Sequence, residues 1–247
     1  MDYRNASRAA GKFVREEKNG WEYYHVPELT ARGIIHGFFT RNCPSFVIDG
    51  ENQSFLNAFS LDRVITLNQE HGDTVHAVGL DDSPDKGDGI LLYKPGIAGV
   101  IKTADCLSIV LIDPAFPMVA ILHAGWRGTL SRITSKAIDM MTERGAAKQR
   151  IAALMGPSIR GCCYTVGTDV KEAFLNEGFP ETIFHDKNGS IYLDLKDANA
   201  RLLIDANIET IFDTELCTFC SDDASFASYR KGARNERQTN FVAISDR

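Results

Sequence analysis

Apolar residues along this chain fall in short runs of strand length, punctuated by polar turn residues. WEYYHV (21–26) and GIIHGFFT (33–40) combine aromatic and β-branched residues and predict strands. Comparable runs follow at RVITLNQ (63–69), TVHAVG (74–79), AGVIKT (98–103), LSIVLID (107–113) and MVAILHA (118–124). IAALM (151–155), IYLDL (191–195), IETIF (208–212) and TNFVAIS (239–245) complete the series. Three segments carry helical spacing instead. From Thr129, Leu130, Ile133, Ala137 and Met140 recur on one face, and Gly145 can stop the helix. Val170, Ala173 and Phe174 form a shorter face that ends by Gly178 and Pro180, and Asp194 can cap a helix carrying Leu195, Ala198 and Leu202. Many strands with three helices predict an α+β fold, a mixed-sheet sandwich.

Composition narrows the class. The 247 residues are 44% hydrophobic and 24% charged, values that exclude disorder and coiled coil. A net charge of −6 argues against a nucleic-acid coat or an anionic-membrane surface. No run approaches the roughly 20 apolar residues of a membrane span. Residues 1–20 are charged throughout and lack the apolar core of a secretory signal, so they are expected to be a flexible tail. No linker or repeat divides the remainder, and 21–247 is expected to form a single catalytic domain. The six cysteines read as reduced thiols in a cytoplasmic protein rather than as a disulfide framework.

Chemistry concentrates between Asn68 and Thr129. NQEHGDTVHAV, KTADCLSIVLID and ILHAGWRGT each place a soft ligand at the edge of an apolar strand: His71, Cys106 and His123. Two imidazoles and a thiolate would leave one tetrahedral position open, the pattern of catalytic zinc. Their spacing matches no local zinc motif, and each taken alone is more often a buried thiol or a structural histidine than a ligand. HAGWRG joins a strand to a helix; its helix start favours an anion, and Arg127 can add a bidentate contact. Plain core packing for Trp126 and a surface ion pair for Arg127 explain the same residues equally well. Cys217 and Cys220 form one CxxC without a second pair and read as two free thiols, and the adjacent Cys162 and Cys163 carry no further signal. The basic stretch SYRKGARNER (228–237) is either a solvated loop or a wall facing an anionic substrate.

Taken in order, QEHG, TADC and HAGWRG, with GPSIRGCCYTVG, CTF and FASYRKGARNERQ behind them, resemble the YfiH-like family, also called laccase-domain or multicopper polyphenol oxidase-like proteins. The resemblance runs from about HGFFTR (36–41) to ERQTNFVAIS (236–245). It implies a sandwich related to Cys–His hydrolase toxins and a metal held by His71, Cys106 and His123, with zinc expected and copper the alternative. It implies a purine nucleoside enzyme: phosphorolysis of adenosine, inosine and methylthioadenosine, and adenosine deamination. The metal ligands are the implied catalytic residues. Beside them, Asp105 is a candidate to orient a ligand or move a proton, a position that a helix-cap or turn role explains equally well; Arg41, Arg127 and Arg230 are candidate phosphate holders by charge, and Gln69 a candidate substrate contact. The chain departs from the family pattern at Asn42–Ser45, at Thr165 where an acid is usual, at Lys231 within the usual Arg pair, and at Glu236–Arg237. A bacterial branch of the family is linked instead to removal of misincorporated amino acids from peptidoglycan precursors.

Counting tests the oxidase label. Six histidines with no HxH pair cannot fill a blue-copper centre and a trinuclear cluster together. A copper-dependent polyphenol oxidase using the lone His–His–Cys set stays as an alternative, not as the expected main role. The remaining alternatives are an amidase using the same metal, a metal-free thiol hydrolase with Cys106 as nucleophile and His123 as base, and a non-enzymatic binding partner stabilised by metal. The expected partners are a small nucleoside and phosphate, with no nucleic acid and no membrane; the oligomeric state is left open.

Overall fold

Two strands decide the architecture, because every residue of LSIVLID and MVAILHA is buried. Strands covered on both faces must lie between layers. The computed structural model describes residues 12–43, 52–80, 82–221 and 225–246. Among them, the strands are β1 (Val14–Lys18), β2 (Trp21–His25), β3 (Ile34–Phe39), β4 (Arg63–Thr66), β5 (Val75–Val78), β6 (Gly89–Leu92), β7 (Ile97–Thr103), β8 (Leu107–Asp113), β9 (Met118–Ala124), β10 (Ala152–Met155), β11 (Thr165–Val166), β12 (Phe184–Lys187), β13 (Ser190–Leu193), β14 (Thr210–Asp213) and β15 (Gln238–Ile244). The helices are α1 (Pro27–Thr30), α2 (Gln53–Phe59), α3 (Trp126–Leu130), α4 (Ile133–Glu143), α5 (Thr168–Asn176) and α6 (Leu195–Asp205).

One sheet has the order β1-β2-β3-β15-β7-β4 and the other β14-β10-β8-β9-β6-β5, with a small side sheet β11-β13-β12. Both large sheets are mixed: β4–β7, β5–β6 and β10–β14 pair in parallel and the other neighbours antiparallel. This is the α+β mixed-sheet sandwich that the strand runs predict. Phe38, Ile101 and Val242 of the first sheet pack against Ile90, Val110 and Ile121 of the second. The sheets approach closely at Gly99, where a Cβ would lie 3.2 Å from both Ile121 and Ile90. On the outer face of the first sheet, α2 covers an aromatic cluster of Trp21, Phe39, Phe55, Phe59 and Phe241, with Phe39 and Phe241 stacked at 5.2 Å. On the outer face of the second sheet, α4, α5 and α6 contribute Ile138, Phe174 and Leu202 to the largest core.

Two local outcomes differ from the sequence reading. The tail expected over residues 1–20 contains β1, which is exposed along its length and pairs antiparallel with β2 from Val14↔His25 to Lys18↔Trp21. Asn19 (φ 53°) and Gly20 (φ 84°) supply the two positive-φ positions of a tight hairpin turn. The backbone pairing holds this strand without an apolar side. Residues 1–11, and with them most of the expected tail, lie outside the described residues, as do Pro44 and Ser45. The helix expected from Thr129 divides into α3 and α4 at Arg132, which has φ 62°. Its buried face turns onto Ile133, Thr134, Ala137, Ile138 and Met141, because Thr134 Oγ1 donates to Asn199 Oδ1 of α6 at 2.8 Å. Asp194 caps α6 as expected, accepting from the amides of Lys196 and Asp197. Among the described residues, no helix is long and apolar enough to cross a membrane.

Candidate metal and substrate site

Strand pairing assembles the site from distant sequence. β8 and β9 pair with Leu107↔Ala124 and Ser108↔His123, so Cys106, just before β8, meets His123 near the end of β9. β6 pairs with the other side of β9 through Gly89↔Leu122, which sets Asp88 beside His123. The Asp88 carbonyl accepts the His123 amide at 2.7 Å. His71 arrives on the loop between β4 and β5 with φ 59°. The ligand atoms of His71, Cys106 and His123 lie within 4.8 Å of one another.

Asp88 organises this group. Its carboxylate is buried and accepts the amides of Glu70, His71 and Gly72 at 3.2, 3.0 and 2.7 Å. It also receives His123 Nδ1 at 2.7 Å, which fixes the ring and leaves Nε2 for the ligand cluster. Burial pushes the Cys106 thiol up, but the bonds and charges of His123 and His71 outweigh it and bring the thiol down to about 6. Burial pulls His123 down, while Asp88 and then Cys106 hold the imidazole up at about 9. Asp88 itself lies below the ordinary carboxylate range, since His123 and the loop amides overcome its burial. Two glycines make room. A Cβ on Gly125 would come 3.1 Å from Cys106 Sγ, and one on Gly128 would come 2.6 Å from the Gly72 carbonyl. A thiolate, two imidazoles, a carboxylate behind one of them and a bare backbone in front fit a zinc-type donor set with an open position.

A cavity of about 640 Å³ opens over the three ligands. Trp126 and Tyr164 form part of its wall, with Arg127, Arg230 and Arg237 beside them. Arg127 rests on the Trp126 ring at 4.4 Å and has no acidic partner among the described residues. Arg230 lies over the Tyr164 ring at 5.1 Å. Its guanidinium donates to the Thr165 hydroxyl and carbonyl, both at 3.0 Å, so a neutral residue holds it where an acid would cancel its charge.

The other expected contacts are placed differently. Gln69 lines the cavity, but its amide bonds the Lys102 carbonyl and N–H, each at 2.8 Å, and ties the His71 loop to β7. Asp105, with φ 81°, accepts from Thr218 Oγ1 at 2.6 Å and from the Arg230 amide at 2.8 Å. Its carboxylate therefore anchors two wall segments behind Cys106. Arg41 is exposed, pairs with Glu236 and does not line the cavity. Arg237, from the basic stretch 228–237, joins the wall, whereas Asp88 and Tyr164 are residues that sequence reasoning did not single out. Asp88 lies in the polar stretch DKGDG, whose only local signal is a turn.

Residues 45–245 match the family model described as multi-copper polyphenol oxidoreductase laccase. A purine nucleoside phosphorylase of Deinococcus radiodurans is 37% identical over 189 residues, covering 74% of this chain and 72% of that protein. Adenosine deaminase RL5, from an unknown prokaryotic organism, is 36% identical over 155 residues, covering 61% of this chain and 59% of that protein. The crystal structure of a hypothetical protein YfiH from Bacillus licheniformis superimposes with a TM-score of 0.81 at 25% identity, covering 94% of this chain and 99% of that one.

Proposed function

The chain belongs to the multi-copper polyphenol oxidoreductase laccase family, the YfiH-like group, and from that premise we propose that it is a purine nucleoside enzyme using zinc at His71, Cys106 and His123. The proposed reactions are phosphorolysis of adenosine, inosine and methylthioadenosine, and hydrolytic deamination of adenosine. The observation that carries the reading is one cavity lined both by three soft ligands and by an arginine, Arg127, without an acidic partner among the described residues. Relatives named purine nucleoside phosphorylase and adenosine deaminase support it.

When bound, zinc supplies a Lewis acid that makes water easier to deprotonate near neutral pH. Copper suits the same donors by the Irving–Williams order. A multicopper mechanism is not proposed: among the described residues, His71–Cys106–His123 is the one potential ligand group with two imidazoles. In phosphorolysis a phosphate oxygen bonds to C1′ of the ribose, the C1′–N9 bond breaks, and the base leaves with the electron pair and gains a proton. Arg127, Arg230 and Arg237 hold the phosphate, and the rings of Trp126 and Tyr164 flank the base. In deamination water adds at C6 and ammonia departs. Asp88 keeps His123 aligned in both reactions.

The chain Asp88–His123–Cys106 favours a second reading, a metal-free thiol hydrolase in which His123 activates Cys106. It assigns no task to His71, which stands equally close. An amidase acting on muramyl-amino-acid precursors would use the zinc site with another substrate.

Phosphate dependence separates the reactions. The purified protein is expected to release adenine from adenosine and hypoxanthine from inosine only with phosphate, and to form inosine from adenosine without it. Arg127→Ala is expected to weaken phosphorolysis about tenfold or more while deamination changes less. Equal loss of both reactions removes Arg127 from the phosphate role. Turnover of neither nucleoside, with cleavage of a muramyl-amino-acid precursor, selects the amidase. Activity unchanged after chelation and abolished by thiol alkylation selects the thiol hydrolase.

A further inference from the structure

We propose that Cys162, Cys163, Cys217 and Cys220 form a second metal site, a tetrathiolate that binds zinc. Sequence spacing leaves these residues as a CxxC and a separate vicinal pair. The fold brings all four sulfurs within 4.8 Å of one another. Cys162 Sγ and Cys220 Sγ, 58 positions apart, stand 3.6 Å from each other. Zinc–sulfur bonds of about 2.3 Å in a tetrahedron place the sulfurs roughly 3.8 Å apart. The observed spacing brackets that value, and small side-chain rotations reach it. All six cysteines are free thiols, so no disulfide occupies the group.

The backbone is shaped for ligation on both sides. Cys162 and Cys163 sit in a tight turn where the amides of Cys163 and Tyr164 both donate to the Arg160 carbonyl, at 2.8 and 2.9 Å. Cys217 and Cys220 sit in a second turn closed by the Ser221 amide on the Cys217 carbonyl at 3.0 Å. Four thiolates around a divalent ion leave a net charge of −2, and Arg160 lines the same hollow as Cys162, Cys217 and Cys220. Four sulfurs with no open position match a structural zinc site rather than a catalytic one.

The location says what the ion would brace. The first turn leads directly to Tyr164 on the wall of the substrate cavity. The second contains Thr218, which donates to Asp105, the neighbour of Cys106. Zinc here joins two wall segments from behind, at a site separate from His71, Cys106 and His123.

The test counts metal in the full chain, purified in reducing buffer without added metal, by elemental analysis and native mass spectrometry. The wild type is expected to carry up to two zinc ions. A His71→Ala/His123→Ala variant should keep one, and Cys162→Ser/Cys220→Ser should lose one. With cobalt(II) in place of zinc, the histidine variant should show strong sulfur-to-metal charge-transfer absorption, absent once Cys162 and Cys220 are also replaced. If either variant fails to fold, the zinc ratio and cobalt spectrum of the other and of the wild type decide. The proposal is overturned if the histidine variant binds no zinc or cobalt, or if Cys162 and Cys220 are recovered as a disulfide from reducing buffer. Zinc lost with the cysteines but untouched by the histidine changes would instead remove the first metal site and leave this one standing.

Discussion

Asp88 shows how a residue far from the substrate can govern the site. It joins the His71 loop to His123 through four hydrogen bonds. Asp88→Asn should lower zinc affinity roughly 10- to 100-fold, measured by competition with a chromogenic chelator; unchanged affinity would show that the strands alone set the ligand geometry. His71, Cys106 and His123 were legible only as a trio of motifs, because intervals of 35 and 17 residues carry no local geometry. Asp88 was not legible at all: its partner lies 35 residues away and meets it only through the β6–β9 pairing. His36 carries a different consequence. Its Nε2 accepts the Val26 amide at 2.9 Å and its Nδ1 donates to the Ile34 carbonyl at 3.0 Å, contacts that require the neutral ring. Burial pulls it from 6.5 down to about 4. Between those values the unfolded chain binds a proton that the folded chain refuses, so stability is full above pH 6.5 and falls as pH drops toward 4. The loss is roughly 3 kcal/mol. Denaturant midpoints across this range should show the slope, and His36→Gln should lack it.

Among the elements, strands were read more faithfully than helices. β8 and β9 are continuous apolar runs whose limits the sequence marks clearly. β6 escaped because GILL (89–92) is only four residues long and follows a turn signal. β1 escaped because VREEK has no buried side and depends on its partner. α3 and α4 part at Arg132, whose positive φ periodicity does not record. α3 also bears on the site, since Gly128 lies against the Gly72 carbonyl. Ala ordinarily favours a helix over Gly by about 1 kcal/mol. Here the added methyl must push the loop that carries His71, so Gly128→Ala should reduce zinc affinity by roughly tenfold or more. Isothermal titration on the refolded apo-protein checks this; wild-type affinity would mean that the loop yields without moving His71.

For the whole molecule, we propose that the region expected from residue 21, extended back to β1, behaves as one domain. The cavity draws its lining from both large sheets and from segments between Thr66 and Arg237. Limited proteolysis should leave one large fragment that spans β1 to β15, because loop tips and termini are cut more readily than paired strands. Two stable fragments of similar size, seen by mass spectrometry, would contradict that proposal.

β15 follows every other strand in chain order, yet lies in the middle of the first sheet, between β3 and β7. A ribosome therefore delivers the keystone of that sheet after its neighbours. Until β15 emerges, β3 and β7 each present an unpaired edge, the kind that invites pairing with other chains. Folding during synthesis can finish the second sheet, whose last strand is β14, before the first. Nascent chains arrested before Gln238 should accordingly hold a protected β8–β9 core beside an open, chaperone-accessible half-sheet, which closes only once β15 is delivered.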